Sequence, residues 1–130
     1  MSGFRLRRER VPDDTLVVIR GGVMNEESLR RDARIAFLRF GEYGVSVLAA
    51  PDDDALREVQ AGPLRQYQRL TITTAGAIRR VGLELRPTFR RPHYTVIFPT
   101  LDAGVRRLLS CENEVIDNPY HDPDEGEEGR

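Results

Sequence analysis

The stretch TLVVIRGG, residues 15–22, organises the predicted fold and raises the first question about function. Its run of β-branched and apolar residues follows the turn-forming sequence PDD, which predicts a buried strand. The strand ends in Arg20, followed by Gly21 and Gly22. Such an ending places a guanidinium beside backbone without side chains, where a phosphate could approach both. The alternative is an ordinary turn in which Arg20 pairs with a carboxylate.

The segments that follow this strand alternate between helical and extended patterns. Residues 25–41 have apolar side chains at helical spacing, with Asn25 as a cap and Gly41 as a stop. The apolar face of this helix predicts burial of Leu29, Ala33, Ala36, Phe37 and Phe40. GVSVLAA predicts a second strand, and PDDDALREVQAG predicts an Asp-capped helix that ends at Gly62.

The second half of the chain continues the alternation. RLTITT, LELRPTF and HYTVIF are typical of strands, while AGAIRRVG and TLDAGVRRLLSC are typical of helices. This order predicts an α+β fold: a single compact domain with a mixed, mainly antiparallel sheet flanked by two or three helices.

A length of 130 residues is typical of a single domain with one hydrophobic core. The two ends of the chain differ in charge. Residues 1–11 form a basic segment, residues 12–112 the folded domain, and residues 113–130 an acidic tail that we expect to be flexible. Besides being a solvated end of the chain, the tail could have one of two specific roles. It could fold back over an arginine-lined surface, or it could contact a partner protein encoded in the same operon.

Composition excludes several kinds of chemistry. All 20 basic residues are arginine, so neither a lysine-containing phosphate loop nor a lysine Schiff base can form. Cys111 is the only cysteine and cannot form an internal disulfide. Cys111, His93 and His121 lack zinc-finger spacing, and the run HDPDE from His121 is interpreted as a solvated acidic segment, so we predict no metal. The chain has no secretory signal and no apolar run that could cross a bilayer. We therefore expect a cytoplasmic protein that does not bind membranes.

Two further segments could carry chemistry. In FGEYGVSV, Tyr43 and Ser46 lie at the start of a strand, where a hydroxyl can hold a ligand or simply face solvent. In LRPTFRRPHYTVIF, arginines alternate with aromatic rings, a combination that suits single-stranded RNA. The residues concerned are Arg86, Arg90, Arg91, His93 and Tyr94. Histidine is the side chain whose ordinary pKa lies nearest neutrality, so His93 could serve as a general acid or base in a metal-independent ribonuclease, or it could be an ordinary exposed strand residue.

The order of these features resembles that of small bacterial toxins with an ADP-ribosyltransferase-like fold, particularly the RES-domain type. Arg20 in VVIRGG matches the family's arginine, Tyr43 or Ser46 in GEYGVSV its hydroxyl residue, and Glu58 in DALREV its acidic member. In that family the arginine and the hydroxyl residue hold NAD, and the glutamate assists attack at the nicotinamide ribose. The resemblance therefore implies that NAD is the substrate, that Gly21 and Gly22 contact it together with Arg20, and that Glu58 is a catalytic residue.

Three functions are open at this point. The first is a toxin-like enzyme that transfers or degrades the ADP-ribose of NAD through an arginine-lined cleft. The second is an RNA-binding protein or ribonuclease toxin that uses residues 86–94. The third is a non-catalytic module that docks onto a partner protein. If Arg20 and the segment around His93 line one concave surface, a single anion-binding cleft serves either enzyme.

Overall fold

The computed structural model describes residues 10–122, which form a six-stranded sheet with helices on both faces. The strands are β1 (Leu16–Gly21), β2 (Gly44–Ala50), β3 (Arg69–Thr74), β4 (Glu84–Pro87), β5 (His93–Ile97) and β6 (Glu114–Asp117). The helices are α1 (Glu26–Phe40), α2 (Asp53–Ala61), α3 (Ala75–Arg80) and α4 (Leu101–Ser110). None of these helices combines the length and apolar character that crossing a membrane requires.

The strands are arranged in the order β4-β5-β2-β1-β3-β6. Every pairing between neighbouring strands of this sheet is antiparallel. The α+β class predicted from the sequence is confirmed. In detail the sheet is antiparallel from edge to edge over the described residues, and four helices flank it, since the short segment AGAIRR forms α3.

The helix ends follow from local signals in the sequence. The Asn25 side chain accepts a hydrogen bond from the Ser28 N–H at 2.9 Å, and α1 begins there. Gly41 ends α1 with a φ of 80°, a left-handed conformation that glycine adopts without strain. The other helices begin with the same kind of cap, at Asp52, Thr74 and Thr100. Each capping oxygen satisfies a backbone N–H that the first turn leaves unpaired.

The sheet carries a core on each face. The larger core lies under α1, α3 and α4 and includes Val17, Val47, Val96, Ile78 and Leu108. The smaller core lies under α2 and includes Val18, Leu48, Val59, Leu70 and Ile72. Because side chains alternate along a strand, Ser46 and His93 lie on the same face as Leu48, yet both are exposed. We call this uncovered part of β2, β5 and β4 the open face.

The last turns of α1 are more exposed than the sequence predicted. Leu29 and Ala33 are buried, as expected, but Phe37 and Phe40 are 43% and 61% exposed. The Phe37 ring stacks on that of Tyr43 at a centroid distance of 4.5 Å, on the outside of the core. The prediction of burial was therefore wrong for these two rings. Helical periodicity identifies the inner face of a helix but not where the surface beneath it ends.

The outer surface of α1 gives a first testable expectation. Leu38 is 85% exposed, and glutamine has nearly the same helix propensity as leucine. We expect Leu38→Gln to change the free energy of unfolding by less than about 0.5 kcal/mol. Urea denaturation of the variant and the wild type measures the difference. A loss above about 1 kcal/mol would show that Leu38 is packed in the native protein.

The folded domain extends beyond residue 112, its predicted end. Strand β6 pairs with β3 in the register Ile116 opposite Leu70. The next residue after β6, Asn118, is buried. The two hydrogens of its side-chain NH2 are shared among three backbone carbonyl oxygens, those of Gln60, Leu64 and Tyr67, each 3.1 Å from the nitrogen. Residues 113–118 of the predicted tail therefore belong to the folded domain, and residues 123–130, like residues 1–9 of the basic segment, lie outside the described part of the chain.

Candidate functional site

A cleft of about 750 Å³ lies where the end of β2 and the start of β5 meet α2 and the segment before β1. This volume is within the range of small-molecule sites. Most of its lining is apolar and comes from Val11, Ala49, Val59, Pro63, Pro92 and Tyr94. The charged side chains that line it are Arg10, Glu58 and Arg91. An apolar cleft with a few charged groups is the usual form of a ligand site.

The charged side chains of this cleft lack the salt bridges that many other described arginines form. Arg20, Arg30 and Arg86 form salt bridges to carboxylates. Within residues 10–122, Arg10 and Arg91 have no carboxylate partner, and Glu58 has no arginine or histidine partner. A guanidinium that no carboxylate engages can form its paired hydrogen bonds with an external anion. The cleft is therefore suited to a ligand with both an apolar and an anionic part.

Arg20 does not line this cleft. Its Nη1 donates to Asp32 Oδ2 at 3.2 Å, and its side chain is only 24% exposed. Asp32 belongs to α1, so the ion pair joins β1 to the helix that covers the larger core. Arg20 therefore adopts the alternative considered from the sequence, a pair with a carboxylate, on the face of the sheet opposite to Ser46 and His93.

The two glycines after Arg20 make close backbone contacts of their own. A Cβ atom on Gly21 would lie 2.2 Å from ring atoms of Tyr67, so the ring packs directly on the glycine backbone. Gly22 has a φ of 84°, and its carbonyl accepts a hydrogen bond from the Thr71 hydroxyl at 2.7 Å. The Gly22 N–H donates to the carbonyl of Arg69 at 2.7 Å. These contacts account for both glycines without a ligand.

The open face holds residues from the other two segments that the sequence singled out, FGEYGVSV and LRPTFRRPHYTVIF. Ser46 and His93 are exposed there, and Arg86 lies on the neighbouring edge strand β4. Arg86 Nη1 donates to Glu42 at 2.8 Å, and its Nε donates to Glu84 at 3.1 Å. These hydrogen bonds, above all those to Glu84, raise the pKa of the Arg86 guanidinium above its ordinary value. Arg86 is thus already neutralised by two carboxylates.

The residues matched to the NAD-binding toxins lie in separate places. Arg20 faces α1, Tyr43 stacks on Phe37, Ser46 is on the open face, and Glu58 is in the cleft. What the fold does bring together is Glu58, Arg91 and Tyr94, which the sequence had assigned to different functions. Arg10 also lines the cleft but was not predicted as a site residue, although it belongs to the basic run at the start of the sequence.

A row of aromatic rings lies beside the cleft, in and around the loop that joins β4 to β5. The Phe89 ring is 70% exposed and meets the rings of Phe40 and His93 at centroid distances of 5.8 and 6.1 Å. Phe89 has a φ of 53°, in the left-handed region that bulky residues avoid. We refer to Phe40, Phe89 and His93 as the aromatic row. Neighbouring Arg90 is exposed, and its side chain has no salt-bridge partner within the described residues.

Metal chemistry and known relatives add nothing further to the site. Over residues 10–122, no group of three or more His, Cys, Asp or Glu side chains is placed to hold a metal ion. No protein-family model matches the chain, and no curated protein or solved structure matches it at a significant level. The chemistry of the cleft is therefore argued from its own geometry.

Proposed function

We propose that the protein binds a nucleotide in the cleft between α2 and β5, and that it acts on NAD as a toxin-like enzyme. One observation carries the proposal. Arg10 and Arg91, without a carboxylate partner in the described residues, line an apolar cleft whose volume is about 750 Å³. Guanidinium groups bind phosphates through paired hydrogen bonds, and the apolar lining suits a flat ring.

Glu58 supplies the group that the chemistry of NAD requires. In cleavage of NAD, the bond between ribose C1′ and the nicotinamide nitrogen breaks, and nicotinamide leaves with the bonding electrons. Water or an acceptor nucleophile then bonds to C1′ and loses its proton. A carboxylate near C1′ stabilises the positive charge that develops on the sugar. The resemblance to the toxins implies the same role for Glu58, while Arg20, Tyr43 and Ser46 take no part in this proposal.

The test compares NAD binding and nicotinamide release in the wild type and in variants of the cleft. We expect Arg91→Ala to weaken NAD binding about tenfold, because a lost charge-assisted hydrogen bond costs about 1.5–3 kcal/mol. We expect Glu58→Gln to lower the rate of nicotinamide release about a hundredfold while NAD affinity stays within about threefold. Calorimetry measures the affinity, and chromatography follows nicotinamide.

A matched control is Arg34→Ala, which removes an exposed arginine of α1 that also lacks a described salt-bridge partner. This variant should bind and cleave NAD as the wild type does. If the wild type neither binds NAD nor releases nicotinamide, the proposal fails. If Arg34→Ala weakens binding as much as Arg91→Ala, the effect is one of net charge and the cleft is not the site.

A further inference from the structure

We infer that the nucleotide held in the cleft can be the end of a single-stranded nucleic acid, whose next base stacks on Phe89. The inference rests on the nucleotide cleft proposed above, because Arg91 lines that cleft and also belongs to the loop that carries Phe89. Phe89 precedes Arg91 by two residues, so their Cα atoms are at most about 7.6 Å apart. A strand leaving the cleft past Arg91 therefore meets the aromatic row directly.

The exposure of Phe89 supports a role in binding. Its ring contacts those of Phe40 and His93 and is still 70% exposed. An exposed ring held by two neighbouring rings offers a fixed surface on which a base can stack. Stacking of this kind tolerates any base, because every base has a flat π face.

The backbone conformation of Phe89 also supports a role in binding. A φ of 53° is disfavoured for a residue with a Cβ atom and a bulky side chain, and glycine would adopt it freely. The Phe89 side chain contributes little to the core, since most of it is in solvent. Its ring contacts with Phe40 and His93 lie at the surface, and an exposed residue in a strained conformation is typical of ligand contacts.

The charges around the aromatic row suit a phosphate backbone. Arg90 and Arg91 follow Phe89 in the chain, Arg91 lines the cleft, and Arg39 directly precedes Phe40 at the end of α1. None of the three has a salt-bridge partner within the described residues, in contrast to Arg86. Unpaired arginines next to exposed rings are the combination that binds single strands. A duplex should not compete, because its bases are already stacked and paired.

The experiment measures fluorescence anisotropy of labelled single-stranded octanucleotides, one of RNA and one of DNA, with a blunt-ended duplex for comparison. We expect at least one single strand to bind in preference to the duplex, with an affinity that falls as salt rises. Phe89→Gly should weaken this binding about tenfold without loss of folding, because glycine suits the backbone at this position. Calorimetry should show that the same variant binds NAD within about twofold of the wild type.

The matched control is Tyr120→Ala, which removes an exposed ring after β6, at the opposite edge of the sheet. It should leave oligonucleotide binding unchanged. If neither single strand binds, or if Phe89→Gly binds as tightly as the wild type, the inference is overturned even where NAD still binds. Oligonucleotide binding that depends on Phe89 and Arg91 in a protein that does not bind NAD would support the inference and reject NAD as the nucleotide.

Discussion

Replacement of Gly104 by alanine is expected to lower the free energy of unfolding by about 3 kcal/mol, the opposite of the usual effect inside a helix. Alanine normally stabilises a helix by about 1 kcal/mol relative to glycine. At Gly104, however, the new Cβ atom would lie 1.9 Å from Cγ of Phe98. Phe98 is only 3% exposed, so its ring cannot move aside without disturbing the larger core. The steric term therefore outweighs the propensity term.

Urea denaturation of Gly104→Ala, Phe98→Ala and the double variant tests this explanation. Alanine at position 98 removes Cγ and Cδ1, two of the three atoms that the new Cβ atom would meet, so the double variant should lose less stability than the sum of the two single variants. A Gly104→Ala protein as stable as the wild type would contradict the packing of α4 on Phe98.

Asn118→Ala is expected to destabilise the protein to a similar extent, by about 3 kcal/mol. The amide of Asn118 is buried and donates to carbonyl oxygens at the end of α2 and in the loop before β3. Its Oδ1 accepts a hydrogen bond from the Tyr120 N–H at 3.1 Å. Removal of the side chain leaves several backbone groups without a partner where water has little access, which costs more than one ordinary hydrogen bond.

A variant of the same residue type supplies the control for Asn118. Asn113 is exposed and donates one hydrogen bond, to the carbonyl of Cys111 at 2.8 Å. Asn113→Ala should cost less than about 1 kcal/mol when both variants are unfolded in urea. Equal and small losses at the two positions would show that residues 118–120 do not hold the loop before β3.

Local signals in the sequence were sufficient for most elements of the fold. Helix α1 is capped by Asn25 and ended by Gly41, as predicted, and GVSVLAA forms β2 over its whole length. The sequence EVID was not recognised as a strand, because it is short and lies between acidic residues. Its extended state depends on pairing with β3 and on the contact of Ile116 with the smaller core, which no local pattern reports.

The candidate site depended on information that only the sheet order provides. Glu58 and Arg91 are far apart in the chain, and they line one cleft because β5 pairs with β2 next to α2. The sequence offered two alternatives for Arg20, and the choice between them depends on where α1 places Asp32. Residue type thus identified side chains capable of binding anions. Tertiary structure decides which of them are already paired within the protein.

The two outermost strands of the sheet have a consequence for the behaviour of the protein at high concentration. Each is only four residues long; β4 ends in Pro87, and β6 carries Glu114 and Asp117. Proline has no N–H to offer an incoming chain, and closely spaced carboxylates repel their own copies in a stacked arrangement. Such edge strands are poor templates for the addition of further strands in a cross-β fibril. We therefore expect the folded protein to stay dispersed rather than seed fibrils.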